Sequence, residues 1–385
     1  MDFALEESQR EAADLAALVL GGLELGGPDP TDPQRVWSAL GDAGLLGLAL
    51  PERFGGDDLG IGGAAVVLTE LGRVAAVTPA LATLALGALP LARAGRPEAT
   101  TVLAKVVADG AVLTAALHEP SAPFSLRPRT TAVATPDGFR VTGVKVGVPD
   151  VDQAERLLLP VGRESGGPAV LLVDPQADGV TVSRTPGAGP AAPFRVGLDA
   201  VDVPADALVG GVETLTELHR LAVVGAAAYA DGLLAGALAL TTAHVASRRQ
   251  FGRPLATFQA VAQQIANVYL ASRTMHLIAV SAAWRLQSGA DPGADPEVAA
   301  YWVATELPAA IGICHHLHGG LGLDRDYPMH RFSAAASDLA RLVGGPTHGL
   351  DSIGVKIAVD PKADDGGEPS PRADRDRLLG SGSGR

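Results

Sequence analysis

Long runs of alanine, leucine and valine alternate along the chain with short clusters of glycine and proline. Runs of this composition predict helices, because alanine and leucine have high helix propensity and proline ends a helix. The predicted helices cover residues 6–20, 33–43, 64–75, 79–92, 97–108, 215–247, 260–286 and 298–314. From about residue 112 to 209 short β-rich runs follow turn signals, and they predict strands at 139–145, 156–161, 169–173 and 179–183.

A polar stretch, RRQFGRPLATFQ at residues 248–259, separates the two longest predicted helices. Gly252 and Pro254 end one helix and turn the chain, so the two helices form a hairpin. At its corner the Arg248 guanidinium can pair bidentately with a phosphate, and Phe251 and Phe258 offer aromatic faces. The alternative is that the arginines only solvate a helix end and complement its dipole.

A second stretch, HHLHGGLGL at residues 315–323, follows the predicted helix 298–314 and precedes Asp326-Tyr327-Pro328. Its glycines let a ligand or a second chain approach the backbone closely. The motifs R-x-Q-F-G-x-P-L-x-x-F-Q and H-G-G-x-G-x-x-x-x-Y-P, in this order and at this separation, resemble the C-terminal helical domain of the acyl-CoA dehydrogenase flavoproteins. Residues 45–56, LLGLALPERFGG, look like a P-E-x-x-G-G element of the family's N-terminal domain.

The resemblance implies an α+β multi-domain fold. We expect an N-terminal α-helical domain at residues 1–112, a middle β-barrel domain at 113–209 and a C-terminal four-helix-bundle domain at 210–359. Residues 360–385 are rich in Asp, Gly, Pro, Arg and Ser. Such a segment has too little apolar surface to order itself, so we expect a disordered tail.

The resemblance also implies a cofactor. Family members bind FAD with its isoalloxazine ring against the middle barrel, take an α-proton from an acyl-CoA thioester with a carboxylate, and pass the β-hydride to the flavin. We call the stretch at residues 248–259 the hinge. In family tetramers the arginine and the phenylalanine of the hinge, together with the H-G-G loop, reach the ADP half of a neighbouring subunit's FAD. The cofactor-binding residues implied in this chain are Arg248, Gln250, Phe251, Phe258, His316, Gly319 and Gly320.

In the family two motifs of the middle barrel lie against the isoalloxazine ring, and we call them the ring-side motifs. In this chain both depart from the family pattern. His118-Glu119-Pro120 stands where the family has T-E-P, and in residues 143–149 Gly147 replaces an aromatic wall and Pro149 a hydroxyl donor. An aromatic contact of this kind contributes on the order of 1 kcal/mol beyond its burial. We therefore expect a degenerate isoalloxazine pocket in this subunit.

The usual catalytic glutamate is missing as well. The two positions where family branches carry it fall near Val343 and near Ala222, and neither holds a carboxylate. Asp231 and Glu217 are the nearest acids on the helix that precedes the hinge, and they are the fallback candidates for a relocated base. The sequence therefore predicts no catalytic residue, and a general base typically contributes ~10²–10⁴-fold to the rate.

The chain keeps the motifs for the ADP half of FAD and lacks the family's ring-side residues and base. In this it resembles the base-lacking subunit of the bacterial α2β2 acyl-CoA dehydrogenases, whose known examples act on steroid side-chain CoA thioesters. It implies an FAD shared at a subunit interface, a homologous dehydrogenase subunit as partner and an acyl-CoA substrate. Two alternatives are a homotetrameric dehydrogenase with a relocated base, and a structural or CoA-binding homologue without redox function. A metal site would be a further alternative, although no cysteine or carboxylate set completes its ligand shell; its ligands would be His315, His316, His318 and His330.

Charge and cysteine content narrow the function classes. A net charge of -13 argues against nucleic-acid binding, which needs dense Lys and Arg surfaces. The single cysteine, Cys314, excludes an internal disulfide framework. The start of the chain is acidic, unlike a signal peptide, and Asp231 and His244 interrupt the most apolar helix. We expect a cytoplasmic protein without a membrane span.

Overall fold

The computed structural model describes residues 3–23, 33–187 and 193–359. Along the chain, helices are followed by a sheet and then by a second set of helices, so the predicted α+β architecture is confirmed. The predicted disordered tail, residues 360–385, lies outside the described residues. The domain boundaries stay predictions.

The N-terminal part is helical, and apolar side chains of its helices form one core. A π-helical segment, Leu81–Ala88, runs directly into a short α-helix, and its side chains are almost all buried. The first α-helix begins with a capping box formed by Glu6 and Gln9. The α-helices are α1 (Glu7–Gly21), α2 (Pro33–Asp42), α3 (Gly60–Arg73), α4 (Leu89–Ala94) and α5 (Thr100–Asp109).

The middle part is one mixed sheet, and its inward-facing Val, Leu and Ala side chains form a core of their own. Two pairs, β1 with β6 and β4 with β6, are parallel, and the others are antiparallel. The longest strands, β5 and β9, pair along most of their length. The strands are β1 (Val112–Ala115), β2 (His118–Glu119), β3 (Ala122–Pro123), β4 (Thr131–Thr135), β5 (Gly138–Val148), β6 (Ala154–Arg163), β7 (Pro168–Val173), β8 (Val180–Arg184), β9 (Phe194–Pro204) and β10 (Leu208–Gly210).

In the C-terminal part, α6, α7, α8 and α9 share one apolar core. By length and composition α6 could cross a membrane, but 78% of its most apolar window is buried inside the protein. A buried core helix passes the same test, so this composition is weak evidence for a span. The helices are α6 (Val212–Ser247), α7 (Gln259–Ser288), α8 (Asp295–His318), α9 (Met329–Leu342) and α10 (Gly345–Val359).

Glycines bring α3 and α6 into backbone contact. A Cβ atom added to Gly232 would lie 1.8 Å from the carbonyl oxygen of Thr69, and one added to Gly72 would lie 2.2 Å from that of Tyr229. The Thr69 hydroxyl also donates a hydrogen bond to the Ala228 carbonyl, at 3.0 Å. Only glycine permits this approach, and the contact joins the N-terminal helices to the C-terminal bundle.

Candidate functional site

The hinge between α6 and α7 is a tight hairpin. Its two short strands, β11 (Arg249–Gln250) and β12 (Arg253–Pro254), pair in antiparallel fashion. Phe251 and Gly252 form the turn with φ angles of 51° and 81°, the left-handed conformations of a type I′ turn. Glycine adopts this conformation freely, whereas phenylalanine does so rarely. The turn holds the Phe251 side chain out in solvent, where it is 93% exposed.

Two polar side chains of the hinge are free to bind a ligand. The side chains of Arg248 and Gln250 are exposed, and they make no hydrogen bond or ion pair with any residue that the structure describes. Two aromatic side chains lie beside them. The Phe258 ring is covered by the Arg253 guanidinium, 4.1 Å from the ring centroid, and is edge-on to the Phe251 ring with centroids 6.3 Å apart. The hinge therefore combines two neighbouring aromatic rings with free hydrogen-bond donors.

The glycine loop, Gly319–Leu323, begins where α8 ends. Gly319 has φ 58° and ψ -137°, a conformation that side-chain-bearing residues avoid. A Cβ atom added to Gly319 or Gly320 would meet nothing within 4 Å, so the backbone of both residues is open to an approaching molecule. The neighbouring His316 is exposed.

Two stacked imidazole rings connect the hinge to the glycine loop. His244, one helical turn before Arg248, lies on His318 with ring centroids 4.6 Å apart and planes inclined by 26°. His318 is 5% exposed and its Nδ1 bonds to the carbonyl oxygen of Cys314 at 2.8 Å, while burial lowers its pKa. The structure therefore places the two predicted cofactor-binding stretches at the same end of the bundle.

The histidines of this region do not converge on one point. His315 bonds to the Ser333 hydroxyl at 2.8 Å, and Nδ1 of His330 bonds to the Tyr327 carbonyl at 2.7 Å. Within the described ranges, no three His, Cys, Asp or Glu side chains are grouped so that they could hold a metal ion. The geometry therefore gives the metal-site alternative no support.

A cavity of about 580 Å³ lies where the ring-side motifs meet α9, and we call it the sheet cavity. Its walls come from the π-helical segment, the β2–β3 turn, the end of β5, α6 and α9. The side of β5 offers no aromatic wall, because Gly147 stands there with φ 67°. The residues that line the cavity include Leu81, Ala82, His118, Glu119, Val146, Gly147, Pro149, Asp150, Tyr229, Asp338 and Leu342.

Glu119, in the ring-side motif, is engaged inside the protein. Its carboxylate accepts hydrogen bonds from the Lys145 ammonium at 2.8 Å, the Thr130 hydroxyl at 2.6 Å and the Arg129 backbone N–H at 2.6 Å. Burial opposes ionisation, but the bonds from Lys145 and Thr130 outweigh it and lower the pKa of Glu119 to about 2. Glu119 is therefore a buried structural carboxylate, and its oxygens are occupied.

His118, beside Glu119, belongs to a cluster of rings that sequence reasoning missed. The Phe124 ring meets His118 and His219 edge-on, at 4.9 and 5.1 Å, and stacks on His348 at 5.7 Å. Nε2 of His118 bonds to the Leu342 carbonyl oxygen at 2.9 Å. Burial lowers the pKa of His118 to about 4 and that of His219 to about 3, so both rings are neutral near pH 7.

This ring cluster lies beside both positions where the family's base was expected. His219 is three residues before Ala222 on α6, and a Cβ atom on Gly344 would lie 2.5 Å from Cδ2 of His348. Val343 and Ala222 are each 1% exposed. The two positions are therefore packed with apolar groups and neutral rings.

The two fallback acids are paired outside the sheet cavity. The carboxylate of Glu217 forms an ion pair with Arg93, and that of Asp231 accepts a hydrogen bond from Nδ1 of His276 at 2.9 Å. Tyr229 lines the sheet cavity, and Asp231, two residues later, leaves α6 on the opposite side. Neither acid lines the sheet cavity in this structure.

Two other carboxyl groups do line the sheet cavity. Burial, with the Asp152 charge nearby, raises the pKa of Asp150 to about 7. Burial also raises the pKa of Asp338, although its ion pair with Arg341 opposes this. Sequence reasoning passed over Asp150, yet it directly follows Pro149, the position of the missing hydroxyl donor.

Comparison with known proteins identifies the family. Residues 28–110 match the model "Acyl-CoA dehydrogenase, N-terminal domain" and residues 212–348 match "Acyl-CoA dehydrogenase, C-terminal domain". Acyl-CoA dehydrogenase FadE28 of Mycobacterium tuberculosis (strain ATCC 25618 / H37Rv) is 44% identical over 359 residues, which are 93% of this chain and 100% of that protein. The chain belongs to the acyl-CoA dehydrogenase family. It is thereby a member of a family of oxidoreductases.

Two solved structures contain chains similar to this member of the family. A chain of the ChsE4-ChsE5 complex from Mycobacterium tuberculosis superimposes with a TM-score of 0.87 at 31% identity, covering 94% of this chain and 100% of that chain. A chain of the Tcur3481-Tcur3483 steroid ACAD G363A variant gives a TM-score of 0.85 at 34% identity, covering 92% and 98%. A more distant neighbour with the same fold has been solved in complex with FADH2.

Proposed function

We propose that this chain is a subunit of an FAD-dependent heteromeric acyl-CoA dehydrogenase, in which it contacts the ADP half of an FAD held mainly by a homologous partner subunit. The observation that supports this most is a contrast between two sets of motif residues. Arg248 and Gln250 are exposed and free in the described part of the chain, whereas Glu119 and His118 are engaged in internal hydrogen bonds.

The free groups suit the ADP half of FAD. The Arg248 guanidinium can donate two parallel hydrogen bonds to the pyrophosphate, and the open backbone at Gly319 and Gly320 lets a phosphate approach. The exposed ring of Phe251 would be covered by the partner or by the cofactor. When bound, FAD accepts the electrons of the α,β-desaturation. This chain's own residues would hold and orient the ADP half, and the partner would supply the base.

The ring half of FAD fits this subunit poorly. Gly147 leaves the sheet cavity without the aromatic wall that family members place against the flavin. Pro149 has no hydroxyl to donate, and both oxygens of Glu119 are already occupied. The positions of the family's base fall near Val343 and near Ala222, which are buried and apolar. These departures support a division of one active site between two unlike chains.

An exposed apolar face on α7 supports contact with another subunit. Leu270 and Leu277 are spaced by seven residues, so they share one face of the helix, and they are 63% and 53% exposed. Exposed leucines on one helix face are suited to contact with another chain. The relative of known structure named as a complex of ChsE4 and ChsE5 supports a homologous dehydrogenase subunit as the partner.

The proposed substrate is an acyl-CoA thioester, and a steroid side-chain thioester is the specific candidate. This rests on the relative described as a steroid ACAD. We propose the cytoplasm as the location, because acyl-CoA esters are intracellular metabolites.

The decisive experiment is the stoichiometry of FAD in the chain purified alone and after coexpression with a homologue that carries the glutamate. Absorbance of the flavin and mass spectrometry of the intact complex give the ratio. We expect flavin only in the mixed complex, at about one per pair of unlike chains. One tightly bound flavin per chain in the protein purified alone would contradict the proposal, and so would a mixed complex without flavin.

A second candidate function is a self-sufficient dehydrogenase with a relocated base. The sheet cavity favours it, because its volume of about 580 Å³ is within the roughly 300–1,000 Å³ of small-molecule sites and Asp150 lines it with a raised pKa. This candidate predicts flavin and acyl-CoA oxidation in the chain alone, and loss of oxidation with retention of flavin in Asp150→Asn. An inactive, flavin-free wild-type chain would exclude it.

A further inference from the structure

A second cavity, of about 670 Å³, lies between the N-terminal helices and α7. We call it the helix cavity; α1 with the residues before it, α3, α6 and α7 form its walls. It lies on the other side of α6 from the sheet cavity, because Ala228 and Asp231 line it whereas Tyr229 lines the sheet cavity. Its volume is within the roughly 300–1,000 Å³ that small-molecule sites occupy.

A buried carboxylate orients an imidazole at the wall of the helix cavity. Asp231 is 6% exposed, and it accepts a hydrogen bond from Nδ1 of His276 at 2.9 Å. In the tautomer that donates from Nδ1 to the carboxylate, the imidazole carries a lone pair on Nε2. Nε2 of His276 makes no hydrogen bond with the residues that the structure describes, and its side chain is 44% exposed. The pair therefore offers an oriented acceptor.

A second free polar group lies further along α7. His276, Val280 and Trp284 are spaced by four residues, so they follow one face of the helix over about 12 Å. The indole N–H of Trp284 also has no hydrogen-bond partner in the described part of the chain. Its ring is met edge-on by Phe3 at 6.3 Å. Along this wall an acceptor, an apolar stretch and a donor follow one another.

The charges around the helix cavity disfavour anions. The charged residues on its walls besides the Asp231–His276 pair are Glu6 on the approach to α1 and Glu70 and Arg73 on α3. Glu70 and Arg73 pair with each other at 2.9 Å, which leaves no unpaired cation on the wall. Most of the remaining wall is apolar, and it includes Ala65, Val66, Ala279 and Ala283. A phosphate or carboxylate is thus a poor ligand for this cavity, and a neutral molecule is a suitable one.

We propose that the helix cavity binds an elongated, neutral, largely apolar molecule that donates a hydrogen bond from a hydroxyl group to Nε2 of His276. An acceptor oxygen at its other end would receive the indole N–H of Trp284. A fused-ring hydroxyketone, such as a hydroxylated steroid ketone, has this shape and these two groups. Binding involves no chemical step, and the proposal is independent of the flavin contacts at the hinge.

Equilibrium dialysis of the full chain against two radiolabelled steroids tests the proposal. Testosterone carries a hydroxyl group at one end and a ketone at the other, whereas androstenedione carries a ketone at both ends. We expect about tenfold tighter binding of testosterone, since androstenedione would cover the Nε2 atom without offering it a donor, and a lost hydrogen bond costs about that much affinity. His276→Leu should remove this difference. His330→Leu, the same substitution outside the cavity, should retain it.

Two further variants distinguish a loss of steroid binding from a loss of folding. Asp231→Asn combined with His276→Leu removes both partners and leaves no unpaired buried carboxylate. Val280→Trp fills the cavity and should abolish binding of both steroids. Equal affinity of the wild-type chain for the two steroids would overturn the proposal. Undiminished binding in a folded Val280→Trp variant would show adsorption elsewhere on the protein and would also overturn it.

Discussion

The imidazole ring of His244 is stacked on that of His318, with centroids 4.6 Å apart. The two residues are on α6 and α8, and each directly supports one of the two stretches proposed to contact FAD. The backbone N–H of Arg248 bonds to the carbonyl of His244 at 2.8 Å, and Gly319 follows His318 in sequence. The stacked pair therefore fixes the position of the hinge relative to the glycine loop.

Arg248→Ala is expected to lower the affinity of the mixed complex for FAD by about tenfold or more, because hydrogen bonds to charged groups contribute about 1.5–3 kcal/mol. Arg248→Lys should retain part of the affinity, since it keeps the charge and loses the planar fork. Titration of the flavin-free complex with FAD measures the change. Arg35→Ala, at an exposed arginine on α2, is the control, and an equal loss there would argue against a specific contact.

Removal of one partner of the buried Lys145–Glu119 pair should destabilise the fold strongly. We expect Lys145→Met to lower the free energy of unfolding by about 3–5 kcal/mol, because the Glu119 charge remains buried without its counter-ion. Adding Glu119→Gln should restore much of the loss. Arg140→Ala, on the same strand as Lys145, breaks the exposed ion pair with Asp202 of β9 and should have little effect. Urea denaturation gives the three values.

The stability of the chain is expected to fall as the pH decreases from about 6.5 towards 4.5. Burial holds the pKa values of His118, His219 and His348 below those of the unfolded chain, so the unfolded chain binds more protons in this window. Asp150, whose pKa is raised in the fold, offsets part of this by binding a proton in the folded state. His118 alone should contribute a loss of about 2 kcal/mol at pH 5.

Thermal unfolding between pH 4.5 and 7.5 measures this dependence. His118→Asn removes the titrating ring and should flatten the profile, because an asparagine amide stays neutral throughout the range. Equal slopes for the wild type and His118→Asn would show that the His118 ring does not have a lowered pKa in the folded state.

Gly232→Ala should destabilise the chain, although alanine is the better helix former. The added methyl group would lie 1.8 Å from the Thr69 carbonyl oxygen, so α3 and α6 must separate. Gly354→Ala on α10 meets nothing within 4 Å and should stabilise its helix by about 0.5–1 kcal/mol. A comparison of the two melting temperatures separates packing from helix propensity, and a rise in both would refute the close contact.

Local patterns predicted much of the fold. The long alanine-rich helices were found because composition alone favours a helix there, and the motif residues followed from the resemblance. Strand β9 and helices α9 and α10 were not predicted. β9 contains Gly197 and Asp199, which weaken a strand signal, and it is held by pairing with residues of β5 that are 46 to 66 positions earlier in the chain. The glycines at 344 and 345 obscure the start of α10.

The site was less predictable than the fold. The ring cluster joins residues 118, 124, 219 and 348, and no local pattern indicates that they meet. The pairing of Asp231 with His276 likewise depends on the crossing of α6 and α7. The loss of the base was visible from the sequence because it concerns the identity of single positions. The side chains that pack at those positions instead are brought together by tertiary contacts, so only the structure could identify them.

The ring cluster also limits which side chains its neighbouring positions can accept. A threonine in place of His118 would remove both the bond to the Leu342 carbonyl and one neighbour of the Phe124 ring. A glutamate in place of Gly344 would collide with His348, because even a Cβ atom there would lie 2.5 Å from its ring. The T-E-P threonine or a carboxylate beside Val343 can therefore be introduced only together with repacking of the whole ring cluster.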